Sequence, residues 1–457
     1  MNHQDKLWAG AAKVDITPPL GTIINGDFVV HYAQYVHDPL YAKALLFRDG
    51  KLTLAIVVVD ICVMGQELLD EAKALVAQKH SIPPSQILIS STHTHAAGAV
   101  EEVHLVQADL AYRKKIPGYI LNTVTQAFKN LEPAKVAFGK VEAPEHVLCR
   151  RYIMAESYQP FNPVTGQADQ VKTNPFGAES QILRPVTNPD PELCFLAVQS
   201  VKGRWISVLG NYSLHYVGDW ENGTLSADYF GVFSESMKKK LGAGEEFVGM
   251  MSNGTSGDVN VWDFINKDRY PKDHFAKSQL IGEALAEKVV SQIRHLQWDS
   301  SLELSASLKI IEVSRRMPTQ EALQAAGTVV STGGYERLVP DEEGLKKLYA
   351  REQLLLRDYP FKATCPLQVL GIGKARIGGL PGEFFAETGM RLKENSTDDP
   401  YFTISLANGN VGYVPPAHEL ESGGYETWRC RISNLETDAE AIIRKTLSDM
   451  IKKSKNH

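Results

Sequence analysis

Two apolar runs separated by one amphipathic segment constrain the fold of this sequence more than any other feature. Leu52 to Val59 (LTLAIVVV) and Gln86 to Ser90 (QILIS) are short, rich in β-branched residues and typical of strands buried on both faces. Between them, Gln66 to Lys79 has apolar residues at helical spacing, and Pro83-Pro84 then forces a turn. The pattern predicts a strand–helix–strand unit, which requires the two strands to be parallel.

The same plan returns near the C-terminus. Leu367 to Ile377 (LQVLGIGKARI) predicts a strand, Glu383 to Glu394 a helix, and Tyr401 to Leu406 (YFTISL) a further strand. The two segments share a plan and not a repeated sequence.

The middle of the chain combines strands, a helix and long loops. Leu193 to Val198 and Trp205 to Leu209 predict a β-hairpin, and Ala276 to Leu296 predicts a long amphipathic helix. Glu156 to Glu192 has no periodicity, and a connection that long usually forms a lid or a binding loop. Since no low-complexity tract or linker interrupts the chain, we predict an α/β fold with mixed α+β elaboration, built as one domain over residues 1–457.

Composition excludes several classes of protein. Lys and Arg number 48 against 54 Asp and Glu, and a net charge of −6 without a basic stripe is unfavourable for binding nucleic acid or anionic membranes. Apolar runs fall far short of the ~20 residues of a transmembrane helix, and residues 1–8 lack the pattern of a signal peptide. The odd number of scattered cysteines indicates reduced thiols. We therefore predict a cytoplasmic protein that acts on a small-molecule substrate.

Two histidines directly follow the second apolar run. His93 and His95 stand in Ser91-Thr92-His93-Thr94-His95, and residues two apart in a strand point to the same side. Ligands of open α/β sheets gather beyond the carboxyl ends of strands, and imidazole is the commonest metal ligand. The pattern predicts either two histidines that face one cavity or two exposed or hydrogen-bonded histidines at a strand end without a function in a site.

Two further candidates follow apolar, strand-like segments. His215 could be a ligand or a satisfied, half-buried histidine, and Glu383 could be a ligand or a carboxylate that suits a helix N-terminus. Together, one or both of His93 and His95, with His215 and Glu383, would form a typical catalytic zinc set, in which one position stays open for water. Zinc lowers the pKa of such a water to about 7 and polarises a carbonyl, which permits hydrolysis at neutral pH.

The glycine-containing stretch from Asn253 to Asn260 is a separate candidate. Its backbone N–H groups could build an oxyanion hole, and Ser256 is a conceivable nucleophile, although the stretch is no G-x-S-x-G elbow. A structural tight turn explains the same residues equally well.

Several motifs along the chain carry a resemblance to a known family. They are Gly10 to Gly21 (GAAKVDITPPLG), Asp38 to Leu45 (DPLYAKAL), Val57 to Asp60, and above all the His-Thr-His stretch. The sequence resembles the neutral/alkaline ceramidases and their shorter bacterial relatives, from about residue 9 to residue 430. The resemblance implies a zinc enzyme that hydrolyses an amide bond.

The resemblance also implies roles for individual residues. It assigns zinc (Zn²⁺) binding to His93, His215, Glu383 and Tyr413. It further implies that His95 is an acid/base or oxyanion partner, that Arg150 is a substrate-side arginine with Arg151 as second choice, and that Tyr425 is a further site tyrosine.

Two departures from the family bear on the substrate. Asn260 stands where the ceramidases have a serine, so a serine nucleophile is not available there, although Asn260 could donate a hydrogen bond. The sequence also ends without the family's immunoglobulin-like C-terminal domain, which points away from ceramide itself. We expect a zinc-dependent amide hydrolase; the alternatives are a zinc esterase or lactonase with a soluble substrate such as a carbohydrate derivative, and a binding protein without catalysis.

Overall fold

The computed structural model describes residues 7–335, 338–396 and 400–454. In chain order its strands are β1 (Trp8–Asp15), β2 (Ile23–Asn25), β3 (His31–Tyr32), β4 (Tyr35–Val36), β5 (Tyr41–Arg48), β6 (Thr53–Val59), β7 (Ile87–Ser91), β8 (Ala97–Gly98), β9 (Glu132–Glu142), β10 (Leu148–Cys149), β11 (Arg151–Met154), β12 (Val171–Thr173), β13 (Ile182–Pro185), β14 (Glu192–Ser200), β15 (Trp205–Tyr212), β16 (Thr224–Leu225), β17 (Val248–Asn253), β18 (Val259–Asn260), β19 (Leu304–Ser314), β20 (Lys362–Ile372), β21 (Ala375–Gly379), β22 (Glu383–Phe384), β23 (Tyr401–Ile404) and β24 (Tyr413–Val414). The α-helices are α1 (Gln66–His80), α2 (Leu110–Arg113), α3 (Ile116–Lys129), α4 (Asp228–Lys240), α5 (Ala276–Ile293), α6 (Gln320–Val330), α7 (Glu342–Leu356), α8 (Ala386–Glu394), α9 (Ala417–Ser422) and α10 (Ala439–Ser454).

An eight-stranded sheet forms the centre of the molecule, in the order β17-β15-β14-β9-β1-β5-β6-β7. Strand β6 pairs in parallel with β7 and antiparallel with β5. The predicted strand–helix–strand unit is therefore confirmed as β6-α1-β7. The predicted hairpin is confirmed as β14-β15, which pair antiparallel.

A second sheet, in the order β19-β20-β21-β23, packs face to face on the first. Apolar side chains of both sheets, such as Ile56, Leu196, Leu370 and Phe402, share one buried cluster. Helices α1 and α3 cover the outer face of β1, β5 and β6, while α4 and α5 cover β14, β15 and β17. Helix α10 covers the second sheet. The layers are therefore helices, sheet, sheet and helix, and the predicted α/β class is confirmed.

Two predictions near the C-terminus are wrong in detail. The run 367–377 is not one strand but parts of two antiparallel strands, β20 and β21, which reverse at Gly373 with φ of +58°. Because both strands are buried on both faces, the apolar pattern continues across the turn and hides it. Glu383 does not begin a helix; it lies in β22, and helix α8 starts only at Ala386.

The segment that follows β23 joins the two edges of the eight-stranded sheet. The N–H of Ser405 donates to the carbonyl of Asn253 at the β17 edge. Ser91 at the β7 edge donates to the carbonyl of Leu406, and the N–H of Asn408 donates to the carbonyl of Ile89. The sheet is thus curled, and three residues of a distant segment satisfy backbone groups of both outermost strands.

Lys73, on the buried face of α1, gives a first testable prediction. Burial lowers the pKa of its amine from 10.5 to about 8, so the folded protein holds fewer protons than the unfolded chain between these values. The free energy of unfolding should therefore rise between pH 8 and pH 10.5, since the unfolded state then loses its extra proton. At pH 7 the buried charge opposes folding, and Lys73→Met should stabilise the protein by about 1–3 kcal/mol.

Urea unfolding at pH 7 and pH 9.5 measures both effects. In Lys73→Met the stability difference between the two pH values should shrink. Lys79→Met, which removes an exposed lysine of the same helix, is the matched control and should leave stability within about 0.5 kcal/mol. Equal behaviour of the two variants would contradict the assignment.

None of the helices in the described ranges is both long enough and apolar enough to span a membrane. The five cysteines are all buried and unpaired: Cys62, Cys149, Cys194, Cys365 and Cys430.

Candidate metal centre

His93 and His95 follow β7 and lie together in a cavity. The strand ends at Ser91, and His93 has a left-handed backbone with φ of +75°, so strand geometry does not direct its side chain. The Nε2 atoms of the two rings are nevertheless 3.2 Å apart. The turn beyond the strand brings them to one point.

His215 and Glu383 reach the same point from other parts of the fold. His215 follows β15, and its Nε2 lies 3.1 Å from Nε2 of His93. Glu383 Oε2 lies 3.4 Å from Nε2 of His93 and 3.8 Å from Nε2 of His215. All three side chains are buried, and their ligand atoms lie within 4.8 Å of one another.

Backbone carbonyls orient both of these imidazoles. The Nδ1 of His93 is 2.8 Å from the carbonyl oxygen of Cys62, and the Nδ1 of His215 is 3.1 Å from that of Ser256. A carbonyl can only accept, so Nδ1 carries the proton and Nε2 carries the lone pair in the neutral ring. Such outer hydrogen bonds are the usual support of a metal-ligating histidine.

The donor set fits a zinc ion. Glu383 Oε2 is buried and has no hydrogen-bond donor among the described residues, which a cation between it and the two imidazoles would remedy. Two histidines and a carboxylate are the ligand types of catalytic zinc sites. A second group, Cys62 with His93 and His95, also lies within metal-binding reach, but it lacks the unpartnered carboxylate.

The charge states of the three histidines differ. Burial, followed by Arg150 and the other histidines, lowers the pKa of His215 well below its ordinary value, and burial and His93 do the same for His95. Burial also opposes protonation of His93, but the Cys62 thiol and Glu383 outweigh it and raise the pKa of His93. A metal binds the neutral imidazole, so a proton carried by His93 would leave when a metal binds.

Tyr413 is positioned by its pairing with Glu383. The short strands β22 and β24 are parallel, and Glu383 stands directly opposite Tyr413. Burial and the nearby Glu383 raise the pKa of the Tyr413 phenol, whereas a hydrogen bond with Arg150 lowers it. The Arg150 guanidinium also lies 5.3 Å from the Tyr413 ring centre.

Arg150 is buried, lines the cavity and is held on three sides. Its Nε donates to Glu426 at 2.7 Å, its Nη2 donates to the carbonyl of Gly257 at 2.6 Å, and its Nη1 lies 3.5 Å from Nε2 of His215. Arg151 is fully buried elsewhere, between Glu419 and Glu426. Of the two arginines, Arg150 is the one that lines the cavity.

His95 and Tyr425 complete the polar part of the cavity. The His95 ring stacks on Tyr216 at a centroid distance of 3.6 Å, and a hydrogen bond with the backbone of Gly26 orients it. Tyr425 packs edge-on against Tyr413 at 5.6 Å, and burial raises the pKa of its phenol well above 10.0, so the hydroxyl stays protonated.

Asn260 lies in the cavity wall but is engaged within the fold. Its amide donates to Asn174 at 2.6 Å, and its carbonyl oxygen accepts from the N–H of Trp262 at 3.1 Å. Strand β18, which contains Asn260, pairs with β10 immediately before Arg150. Through these contacts, Asn260 stabilises the loop that follows Lys172 and Thr173.

The turn from Asn253 to Asn260 supports the site. Ser256 is buried and its hydroxyl donates to Asn253, while its carbonyl orients His215. The N–H of Gly257 donates to the carbonyl of Phe384, beside Glu383. Of the two interpretations of this turn, the structural one agrees with these contacts.

The cavity has a volume of about 560 Å³. The three histidines, Glu383 and Tyr413 form its floor. Its walls are aromatic and polar; they include Phe28, Lys172, Asn174, Phe176, Trp220 and Trp262. The volume is within the range of sites that hold small molecules.

Several residues of this site were not predicted from the sequence. Cys62 comes three residues after the end of β6, the strand that pairs with β7 before His93, so its position near a strand end was a usable signal. Tyr216 adjoins His215 in sequence, and this adjacency was a weaker signal. Lys172 and Glu426 had none, because Lys172 lies in the three-residue strand β12 inside a stretch without periodicity and Glu426 lies in a single helical turn.

The comparisons with known proteins bear on the fold. No model of a known protein family matches the chain. The structure of neutral ceramidase from Pseudomonas aeruginosa superposes with a TM-score of 0.74 and 16% sequence identity, over 99% of this chain and 75% of that one. The chain has the neutral ceramidase fold. A structure of ceramidase complexed with C2 superposes equally well, with a TM-score of 0.73, 16% identity and coverage of 98% and 75%.

Gly257 gives a second testable prediction, because it packs tightly against the backbone of Glu383. A Cβ atom there would lie 2.6 Å from the carbonyl oxygen of Glu383 and 3.0 Å from that of Phe384. Gly257→Ala should therefore displace β22, cost about 1–3 kcal/mol of stability and reduce zinc affinity by about 10–100-fold.

Urea unfolding and zinc titration of purified protein measure the two effects. Gly327→Ala, in the middle of α6, is the control, since no described atom lies within 4 Å of the added Cβ. That change should raise stability by about 0.5–1 kcal/mol and leave zinc affinity unchanged. Unchanged zinc affinity in Gly257→Ala would show that Gly257 does not position Glu383.

Proposed function

We propose that the chain is a zinc-dependent hydrolase that cleaves a C–N amide bond. The observation that carries the proposal is the buried, unpartnered Oε2 of Glu383, which faces the Nε2 atoms of His93 and His215 at the floor of a cavity. The likeness of the fold to neutral ceramidase supports the choice of an amide.

His93, His215, Glu383 and Tyr413 would hold the zinc ion. When bound, zinc supplies a water that is acidic enough to attack at neutral pH and polarises the substrate carbonyl. The ligands come from segments that follow strands of both sheets, so we further propose that the chain works as a single catalytic domain.

Arg150 and Tyr425 are suited to stabilise the oxyanion that forms on the carbonyl oxygen. Glu426 and the carbonyl of Gly257 fix the Arg150 guanidinium, so its charge is oriented before the substrate arrives. The Tyr425 hydroxyl remains protonated and can donate a hydrogen bond. Preorganised donors of this kind are usually the largest contribution to catalysis of acyl transfer.

His95 is suited to move the proton. Burial lowers the pKa of its imidazole well below the ordinary value, so the ring is neutral, and its Nε2 lies in the cavity 3.2 Å from Nε2 of His93, where it can serve as a base. In amide hydrolysis the attacking water loses a proton and the leaving nitrogen gains one. His95 would accept the first and return it to the nitrogen, so that the C–N bond breaks to give an acid and an amine.

The experiment is a comparison of matched amide and ester substrates with metal-free and zinc-reconstituted protein. We expect stoichiometric zinc, turnover of the amide, and loss of turnover in His93→Ala. Turnover of the ester or lactone alone would identify the alternative, a zinc esterase. Zinc-independent activity, or no turnover of any acyl compound, would overturn the proposal, and the second result would favour a binding protein.

A further inference from the structure

Lys172 is a half-buried lysine in the wall of the cavity. It lies in β12 between Val171 and Thr173, whose side chains are buried on the opposite face of the strand. Burial lowers the pKa of its amine below the ordinary value of 10.5. Within residues 7–335, 338–396 and 400–454, no side chain or carbonyl forms a hydrogen bond or an ion pair with its Nζ.

The other permanent or potential cations of the cavity wall have partners. Arg150 donates to Glu426 at 2.7 Å, and His31 lies 2.8 Å from Asp27. The histidines of the metal site lie close to one another and to Glu383, and Nδ1 of His104 lies 3.9 Å from the Glu352 carboxylate. Among the described residues that line this cavity, Lys172 is the lysine whose ammonium group forms no hydrogen bond or ion pair.

Two acidic side chains act on Lys172 only from a distance. Glu342 and Asp169 raise its pKa through space, but neither comes within ion-pair distance. The carboxylate of Asp169 is already occupied, since it accepts from the indole of Trp428 and from the N–H of Gly424. Among the described residues, no carboxylate therefore forms an ion pair with Lys172.

An ammonium group that is partly withdrawn from water without a partner costs free energy. Proteins retain such costs at binding sites, where the ligand supplies the missing partner. Lysine recognises compact anionic groups, carboxylate or phosphate, as a point charge. The chemistry of the cavity wall thus favours a substrate with a negative charge.

We propose that the substrate of this site carries an anionic oxygen group, a carboxylate or a phosphate, and that Lys172 binds this group. The inference rests on the proposed amide hydrolysis and narrows its substrate to an acidic N-acyl compound. Lys172 is then a specificity-determining residue, remote from the bond that breaks.

Three probes with one acyl chain separate the possibilities: N-hexanoylglycine, N-hexanoyl-phosphoethanolamine and the neutral N-hexanoylglycinamide. Calorimetric binding to metal-free protein measures recognition without turnover, and kcat and KM of the zinc-loaded protein measure the reaction. We expect the wild type to bind one of the two anionic probes about 10–100-fold more tightly than the glycinamide. The tighter of the two identifies carboxylate or phosphate.

Substitutions then test the residue. Lys172→Met should abolish the preference by raising Kd and KM for the anionic probe while kcat changes less than about twofold, and Lys172→Arg should restore most of it. Lys277→Met is the matched control, since Lys277 is also half-buried with a lowered pKa but does not line this cavity. It should leave all constants unchanged.

The outcomes distinguish this inference from the proposed function. Equal binding of all three probes, binding of none, or an equal loss for anionic and neutral probes in Lys172→Met would overturn the anion site. Preferential binding of an anionic probe without its turnover would support the anion site and contradict amide hydrolysis. Turnover of the probes without a preference for an anionic one would support amide hydrolysis and contradict the anion site.

Discussion

Glu383→Gln should abolish zinc binding and reduce hydrolysis by at least 100-fold while the protein stays folded. The substitution keeps the shape of a buried side chain and removes the charge of an oxygen that no donor satisfies. Losing a residue that merely supports a ligand typically costs 10–100-fold in affinity, so the loss of an anionic ligand should exceed that. Equilibrium dialysis followed by elemental analysis measures the bound zinc.

Thermal unfolding provides a readout that is independent of activity. Zinc at 100 times its Kd should stabilise the wild type by about 2.7 kcal/mol, and Glu383→Gln should show no such shift. The metal-free variant should be at least as stable as the metal-free wild type, since a buried charge has been removed. Glu394→Gln, an exposed change in the adjoining helix α8, is the control and should retain both zinc and activity. Full zinc content in Glu383→Gln would refute the proposed ligand set.

Arg151→Met should destabilise the protein by about 3–5 kcal/mol, because it breaks a buried cluster of charges. Arg151 is 0% exposed; its Nη1 donates to Glu426 at 2.8 Å, its Nη2 to Glu419 at 2.9 Å and to the carbonyl of Gly423 at 2.8 Å. Removing the guanidinium leaves Glu419 buried without its cation. Because Glu426 also holds Arg150, the loss should extend to the cavity and lower kcat.

Urea unfolding measures the difference, and Arg357→Met is the matched control. Arg357 is exposed and, among the described residues, forms its ion pair with its exposed neighbour Asp358, so its loss should cost less than about 0.5 kcal/mol. In the double variant Arg151→Met/Glu419→Gln, part of the stability should return, since the stranded charge has been removed. A cost below about 1 kcal/mol for Arg151→Met would show that the cluster contributes little.

The parts of the fold that could be predicted from sequence are those in which one strong pattern has one structural explanation. Thr53–Val59 and Gln66–His80 are such cases, because a strand buried on both faces is uniformly apolar and the helix is amphipathic. The boundary between β20 and β21 could not be predicted, since two buried strands and the short turn at Gly373 together make one apolar run. Curling of the large sheet leaves no signature in local sequence.

The site was predictable where residue type and strand ends coincide, as at His93 and His215. The position of Glu383 in a two-residue strand could not be read locally, because the pairing with Tyr413 that forms the strand joins segments 30 residues apart. Tyr413 itself was predicted through the family resemblance alone. Lys172 escaped prediction for a physical reason: its role depends on the absence of a partner, which only three-dimensional structure reveals.

The hydrogen bonds between residues 405–408 and both outermost strands of the large sheet have a consequence for the nascent chain. Strands β7 and β17 are synthesised long before the residues that satisfy their outer backbone groups. During that interval the ribosome holds a chain with two open sheet edges, which are templates for pairing with other chains. The two edges therefore stay open to pairing until residues 405–408 have been synthesised.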